Sequence, residues 1–186
     1  MDILAAFGLS ASAGLNAYIP LLVVSLLARF TDLIHLSEPW AAMESWWIIG
    51  ILIVLSLVEF FADKIPMVNH VNDAIQTFIR PTAGAVLFAA SANVITEIHP
   101  VLSLAAGLLI AGSVHVIKSA AVRPSITATT AGAGDIPISI LEDIISTVLS
   151  VLSVLLPVLV GVVLVLMALW IILWLTRRSR RYRRES

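Results

Sequence analysis

Apolar residues run along most of this chain in stretches of membrane-crossing length, broken by a few short polar segments. A helix needs about 20 mainly apolar residues to cross roughly 30 Å of hydrocarbon. On that measure the pattern predicts spans over residues 3–28, 46–62, 82–97, 101–118, 138–156 and 158–175. The stretch from 138 to 175 would be about 57 Å long as one helix at 1.5 Å per residue. It is therefore expected to turn back at "LLPVLVG", where Pro157 and Gly161 supply the break. The third span is short, and a five-span arrangement with a kinked last helix is the alternative. Asn16, Tyr18 and Pro20 mark a broken or bent helix within the first span.

Two polar segments separate these runs on one side. In "MVNHVNDAIQTFI", Met67, Val68, Val71, Ala74, Ile75, Phe78 and Ile79 recur at helical spacing opposite Asn69, Asn72, Asp73, Gln76 and Arg80. That pattern predicts an amphipathic helix over 67–80 lying on the membrane surface, ended by Pro81. The second segment, "RPSITATTAGAGD", holds Gly132 and Gly134 and four hydroxyls between Ser125 and Thr130. Irregular backbone is expected there. So little charge allows a re-entrant segment over 124–137, covered by protein or facing a water-filled cavity.

Composition fixes the class. Hydrophobic residues make up 60% of the 186 positions and charged residues 12%, and the mean hydropathy is +1.04. A polytopic, all-α transmembrane bundle is expected, with residues 1–176 as one transmembrane domain and 177–186 as a basic tail. The net charge of −1 conceals an asymmetry, because six of the eleven bases lie in "RRSRRYRR". With that tail in the cytoplasm, six spans place Lys64, Arg80, Lys118 and Arg123 inside as well and only Arg29 outside. The expected topology has both termini cytoplasmic. Trp46 and Trp47 then fall at the outer boundary and Trp170 and Trp174 at the inner one. The tail is most economically an anchor to anionic lipid, and nucleic-acid binding is not expected.

There is no cysteine, which excludes disulfides and thiolate chemistry. No P-loop, histidine cluster, cofactor motif or recognisable catalytic signature is present, so no cofactor or metal is expected. What remains is a set of polar groups on the inner half: Asn16, Tyr18, Glu59, Asp63, Lys64, Asp73, Arg80, His115, Lys118, Arg123, Asp135, Glu142 and Asp143. Glu59 falls inside the hydrocarbon and needs a partner, which Lys118, Arg123 or His115 is expected to supply. Arg80, Lys118 and Arg123 also serve as topology anchors. "SILE" at 139–142 fits a capping box of Ser139 with Glu142. Ser139, Glu142, Ser146, Ser150 and Ser153 form a polar stripe that either joins helices or lines a path. Gly107, Ala111, His115 and Ser119 recur every four residues as a close-packing face. Three strings, "SAGLNAYIP", "ADKIP" and "TAGAGDIP", bring small or polar residues up to Ile-Pro on the same side.

The ordered strings "GLNAYIP", "EFFADKIP" with Asp73 and "TFIRPTAGA" after it, then Lys118, Arg123 and "SILED" with Pro157 beyond, resemble a bacterial family filed as domain of unknown function 4126. The resemblance covers about residues 8–160 and implies a multi-pass inner-membrane protein with no established activity. The expected function is a small transporter or permease for a polar solute, anions among the candidates, with a charged pocket open to the cytoplasm and, given how little volume six short spans enclose, a homodimeric assembly. One alternative is an enzyme or flippase handling a lipid phosphate head group, with Asp135, Glu142 or Asp143 acting on Mg²⁺ or as base. Another is an assembly subunit whose polar groups only join helices.

Overall fold

The computed structural model describes the backbone of residues 3–64, 66–92 and 99–185, and the side chains of these except 66–70, 92, 171 and 174–185. The described residues are helical, without a strand. Helices α1 (Ile3–Leu15), α2 (Tyr18–Phe30), α3 (Trp46–Ala62), α4 (Pro66–Ala92), α5 (Pro100–Ile117), α6 (Arg123–Thr130), α7 (Asp135–Leu155) and α8 (Pro157–Glu185) run in that order. Pro100–Thr130 and Asp135–Leu155 are long and apolar enough to cross a membrane, and α1, α2, α3 and Pro157–Trp170 are shorter apolar helices. The far end of the expected third span, with Glu97, lies outside the described residues. So do the side chains of Met67, Val68, Asn69, Trp174 and the basic tail.

The expected first span, 3–28, is two helices of opposite direction. Gly8 lies against Ser153 and Val160, and Gly161 against Leu4. At its other end α1 brings Asn16 to Asp143. Helix α1 therefore runs antiparallel to α7. From Tyr18 the chain heads back, because Arg29 at the end of α2 stacks on Trp46 at the start of α3, 4.3 Å from the ring centre. The start of α1 and the Asn16 break consequently sit at opposite ends of the bundle, not on the one side that the six-span reading gives them. Sequence alone conceals the reversal because two 13-residue helices joined by two residues have the hydropathy of one long span.

Two further expectations are corrected. The segment 67–80 does not stop at Pro81: α4 continues through it to Ala92. Its polar face is the buried one, with Gln76 and Arg80 sealed inside, while Val71, Ile75 and Phe78 (77% exposed) point outward. The segment 124–137 is helical as far as Thr130. Its hydroxyls bond back one turn, Ser125 to the Ala121 carbonyl, Thr127 to Arg123, Thr129 to Ser125 and Thr130 to Ile126, which satisfies them inside a helix instead of breaking it. The chain turns only at 131–134, where Gly132 takes a φ of 85° that favours glycine.

Other expectations hold. Helix α7 ends at Leu155 and α8 starts at Pro157, since proline suits a first helical turn and not an interior. On α5 the buried residues are Ser103, Gly107, Ala111 and His115, one every fourth position; Ser119, expected to continue that face, lies beyond the end of α5 and is only half-buried, and Lys118 is the buried residue there. Gly107 and Gly84 face each other there: a Cβ on Gly84 would stand 2.8 Å from the Gly107 carbonyl and collide with Ala111. The interior is thus built of alanine, glycine and serine, with Ala5, Ala6, Ala13, Ala83, Ala89 and Ala90 all buried. Many large aliphatic residues, such as Val54, Leu109, Ile144 and Val162, face outward, while Leu9, Ile34, Ile49 and Leu87 are buried among the small ones. Water-soluble domains show the reverse distribution, and small-residue interfaces are what lets apolar helices approach without a hydrophobic drive.

Candidate functional site

The charged residues singled out by the sequence on the inner side, apart from Asp135, gather with Asn16, Tyr18, His115 and Ser139 at one end of the bundle, starting from the break after α1. Asn16 bends the chain and caps α2, its Oδ1 accepting from the amides of Tyr18 (3.1 Å) and Ile19 (3.0 Å). Its Nδ2 donates to Asp143 Oδ1 at 3.0 Å. The last carbonyl of α1, on Leu15, accepts from Lys118 Nζ at 2.9 Å, a cation placed at the negative end of a helix. A broken helix here presents one positive and one negative terminus to the same place.

The turn after α3 contributes Asp63 and Lys64. Asp63 accepts from Asn72 (2.7 Å) on one oxygen and from Arg123 (3.0 Å) and Ser139 (3.3 Å) on the other. Lys64 reaches Asp143 at 3.3 Å while donating to the Phe60 carbonyl at 2.9 Å. The inward face of α4 then supplies Asp73, Gln76 and Arg80, with Thr77 at its exposed edge. Arg80 is wholly buried, pairs with Glu59 at 2.9 Å and stands 3.8 Å from Asp63.

Between α5 and α6 the chain makes one π turn, Lys118–Val122, closed by a bond from the Arg123 amide to the Lys118 carbonyl. Residues five apart fall on different faces of an α-helix, but a π turn closes from i to i+5 and brings them together. Both bases accordingly reach the same atom, Glu142 Oε2, at 2.8 Å from Lys118 and 3.0 Å from Arg123. Arg123 also holds both Asp73 oxygens at 3.3 Å. One guanidinium thus ties α4, α7 and the α3 turn together, using the fork of donors that lysine lacks.

The polar stripe of α7 faces inward along its whole length. Ser12 on α1 meets the hydroxyls of Ser146 (2.8 Å) and Ser150 (2.7 Å), so the upper part of the stripe joins helices. The lower part belongs to the charged cluster. Exposure grades across it: Glu59 is 1% exposed and Arg80 0%, whereas the Asp73 side chain is 23% exposed. Burial pushes the Asp63 carboxyl up, but the charges of Lys118, Arg123 and Arg80 outweigh it and hold its pKa below the ordinary value.

The cluster corrects three expectations. Glu59 does have a base, but it is Arg80 and not Lys118, Arg123 or His115; helical continuation through Pro81 is what turns Arg80 inward. Ser139 does not cap α7, which begins at Asp135. Its hydroxyl goes to Asp63, and Glu142 reaches out to two bases instead of back to the backbone. Asp135 bonds Thr127 at 2.7 Å, apart from Glu142 and Asp143. Among the described residues no group of three His, Asp or Glu is placed to hold a metal. Gln76 and Thr77 were hidden in what reads as the wet face of a surface helix. Tyr18 meets the Gln76 side chain beside Glu59 and Arg80, and His115 lies 3.2 Å from both Arg80 and Thr77.

No curated protein and no solved structure matches the chain. The broken "GLNAYIP" helix, the Asp63 turn, the inward Arg80 and the Lys118, Arg123 and "SILED" set all fall within residues 3–178, and over those residues the chain matches, and so belongs to, the family described as domain of unknown function (DUF4126).

Proposed function

We propose that this is a multi-pass protein of the bacterial inner membrane and a small permease, with the charged network as its recognition and coupling element for a polar, anionic solute. The outward-facing aliphatic surface and the small-residue interior support a lipid environment. The charged end is the cytoplasmic one, where the positive-inside preference places Lys64, Arg80, Lys118 and Arg123.

The observation that carries the reading is the network itself. Seven ion pairs join side chains from α3, α4, α7 and the π turn, around a broken helix. Charges are expensive within a membrane and are retained mainly where they act. Arg123 is the base that meets a solute: its side chain is 10% exposed but pairs with Asp73, which is 23% exposed, and an anion reaching it there exchanges one carboxylate partner for another at little electrostatic cost. At the opposite end a cleft of about 420 Å³, lined by Arg29, Asp32, His35 and Glu44 among others, offers a polar way out.

The test is uptake into proteoliposomes of labelled phosphate, carboxylates and amino acids, chosen by their ability to raise the melting temperature of the purified protein. Flux is expected to disappear in Glu142→Gln and in Arg123→Ala proteins that still fold by circular dichroism. Undiminished flux in both, or no flux for any stabilising solute, returns the network to a role in joining helices.

A further inference from the structure

The network is unbalanced in charge. Its ion pairs join five carboxylates, Glu59, Asp63, Asp73, Glu142 and Asp143, to four bases, Lys64, Arg80, Lys118 and Arg123. His115 adds nothing to the bases. A guanidinium has only donors, so the Arg80 contact at 3.2 Å requires a lone pair on His115 Nδ1. The proton is then on Nε2, facing Thr77 Oγ1, whose own hydrogen goes to the Asp73 carbonyl. Among the described side chains, a neutral imidazole leaves the network with one more negative charge than positive in a largely buried region, which a proton on one carboxylate removes.

Hydrogen bonds identify the carboxylate. Asp63 and Asp143 each have a donor on both oxygens, and Asp73 has Arg123 on both. Glu142 has two bases on its Oε2, and its Oε1 is not among the sealed atoms without a partner. Glu59 takes Arg80 on Oε1, and its Oε2 is buried with no hydrogen-bond partner. Gln76 Oε1, in the same corner through Tyr18, is likewise buried and without one. Arg80 Nε beside Glu59 is a buried donor without a partner as well, so the corner holds two unpartnered acceptors against one unpartnered donor; a hydrogen on the carboxyl group supplies the second donor.

We propose that Glu59 is a proton-binding site, a carboxylic acid whose Oε2–H is directed at Gln76, and that the proton is the ion coupled to solute movement. The step is acid–base only: the carboxylate takes up one proton from water and the network goes from one negative charge to none. Arg80 is the switch. It stands 2.9 Å from Glu59 and 3.8 Å from Asp63, and the other groups around Glu59 are Asp63 in the turn after α3, Lys118 after α5 and Tyr18 on α2. A solute that takes Arg123 frees Asp63 to draw Arg80 away, and Glu59 without Arg80 holds its proton more tightly, so solute binding and protonation of Glu59 favour each other. The coupling half of the proposal rests on the permease reading; the proton at Glu59 does not.

Infrared spectroscopy of the full chain in lipid at neutral pH separates the two. The C=O band of a protonated carboxyl group is expected in the wild-type protein, shifting when glutamate is isotope-labelled and unmoved by labelled aspartate. It is expected to be lost in Glu59→Gln, kept in Asp143→Asn, and moved to higher frequency in Gln76→Leu, where the acceptor is gone. The isotope arm needs no substitution and so stands even where a variant fails to fold. Absence of the band in the wild type, a response to labelled aspartate, or its survival in folded Glu59→Gln overturns the proposal. A band at Glu59 in a protein that moves no solute overturns the permease reading and leaves the proton site standing.

Discussion

Arg123 is the most heavily used base in the structure, and replacing it by methionine keeps the length of the stem while removing every donor. Asp63, Asp73 and Glu142 all lose it at once. Breaking a buried pair by removing one partner costs about 3–5 kcal/mol, because the other charge stays behind. Here the loss is softened. Asp63 keeps Asn72 and Ser139, Glu142 keeps Lys118 at 2.8 Å, and Asp73 is open enough to be hydrated. The low end, about 3 kcal/mol, is therefore expected, which for a chain of this size lowers the melting temperature by about 6–12 °C. Arg123→Lys restores the charge but not the fork, and an ammonium on one stem does not hold three carboxylates; an intermediate loss of about 1–2 kcal/mol is expected. Glu142→Gln in the Arg123→Met background removes a charge that has lost one of its two bases, so the double variant is expected to lose less than the sum of the two single losses. Unfolding monitored by fluorescence of the five tryptophans in detergent gives all four values. Equal melting of Arg123→Met and wild type, or strict additivity with Glu142→Gln, refutes the bridging role.

Gly107→Ala places a methyl group against the Gly84 carbonyl and the Ala85 Cα, 2.7 Å away. Backbone cannot yield there as a flexible side chain can, and the α4 and α5 pair is expected to lose about 1–3 kcal/mol, read as a lower melting temperature; an unchanged one denies the close approach. Ser12→Ala removes the hydroxyl shared with Ser146 and Ser150, but those two keep backbone acceptors, so a loss of only about 0.5–1 kcal/mol is expected. A larger loss would mean the stripe does more than join α1 to α7. Acidification should act through Asp63. Its pKa is lower in the folded protein than in the unfolded chain, so its contribution is fully present above the unfolded value and is lost as pH falls from there through the folded value. Asp63→Asn should flatten that acid limb of melting temperature against pH, and an identical limb in the variant assigns the effect to another carboxylate.

The sequence alone determined the all-helical class, the break at Pro157, the inward stripe of α7 and the packing face of α5. Each comes from a local rule: chain length in hydrocarbon, a missing amide, or a spacing that puts side chains on one side of a helix. It also determined most members of the cluster, because an acid or amide inside an apolar run has to find company. What it left open was who pairs with whom. Arg80 reads as an anchor until α4 is seen to run on through Pro81, which turns it from the interface to the centre. Polar residues 72–80 read as the wet side of a surface helix because amphipathicity fixes two faces but not which one meets protein. The π turn that aims Lys118 and Arg123 at one oxygen has no sequence signal, being selected by the contacts it makes. The reversal at Asn16 is invisible for the same reason: hydropathy records how apolar a segment is, and only packing against α7 and α3 fixes the direction in which it runs.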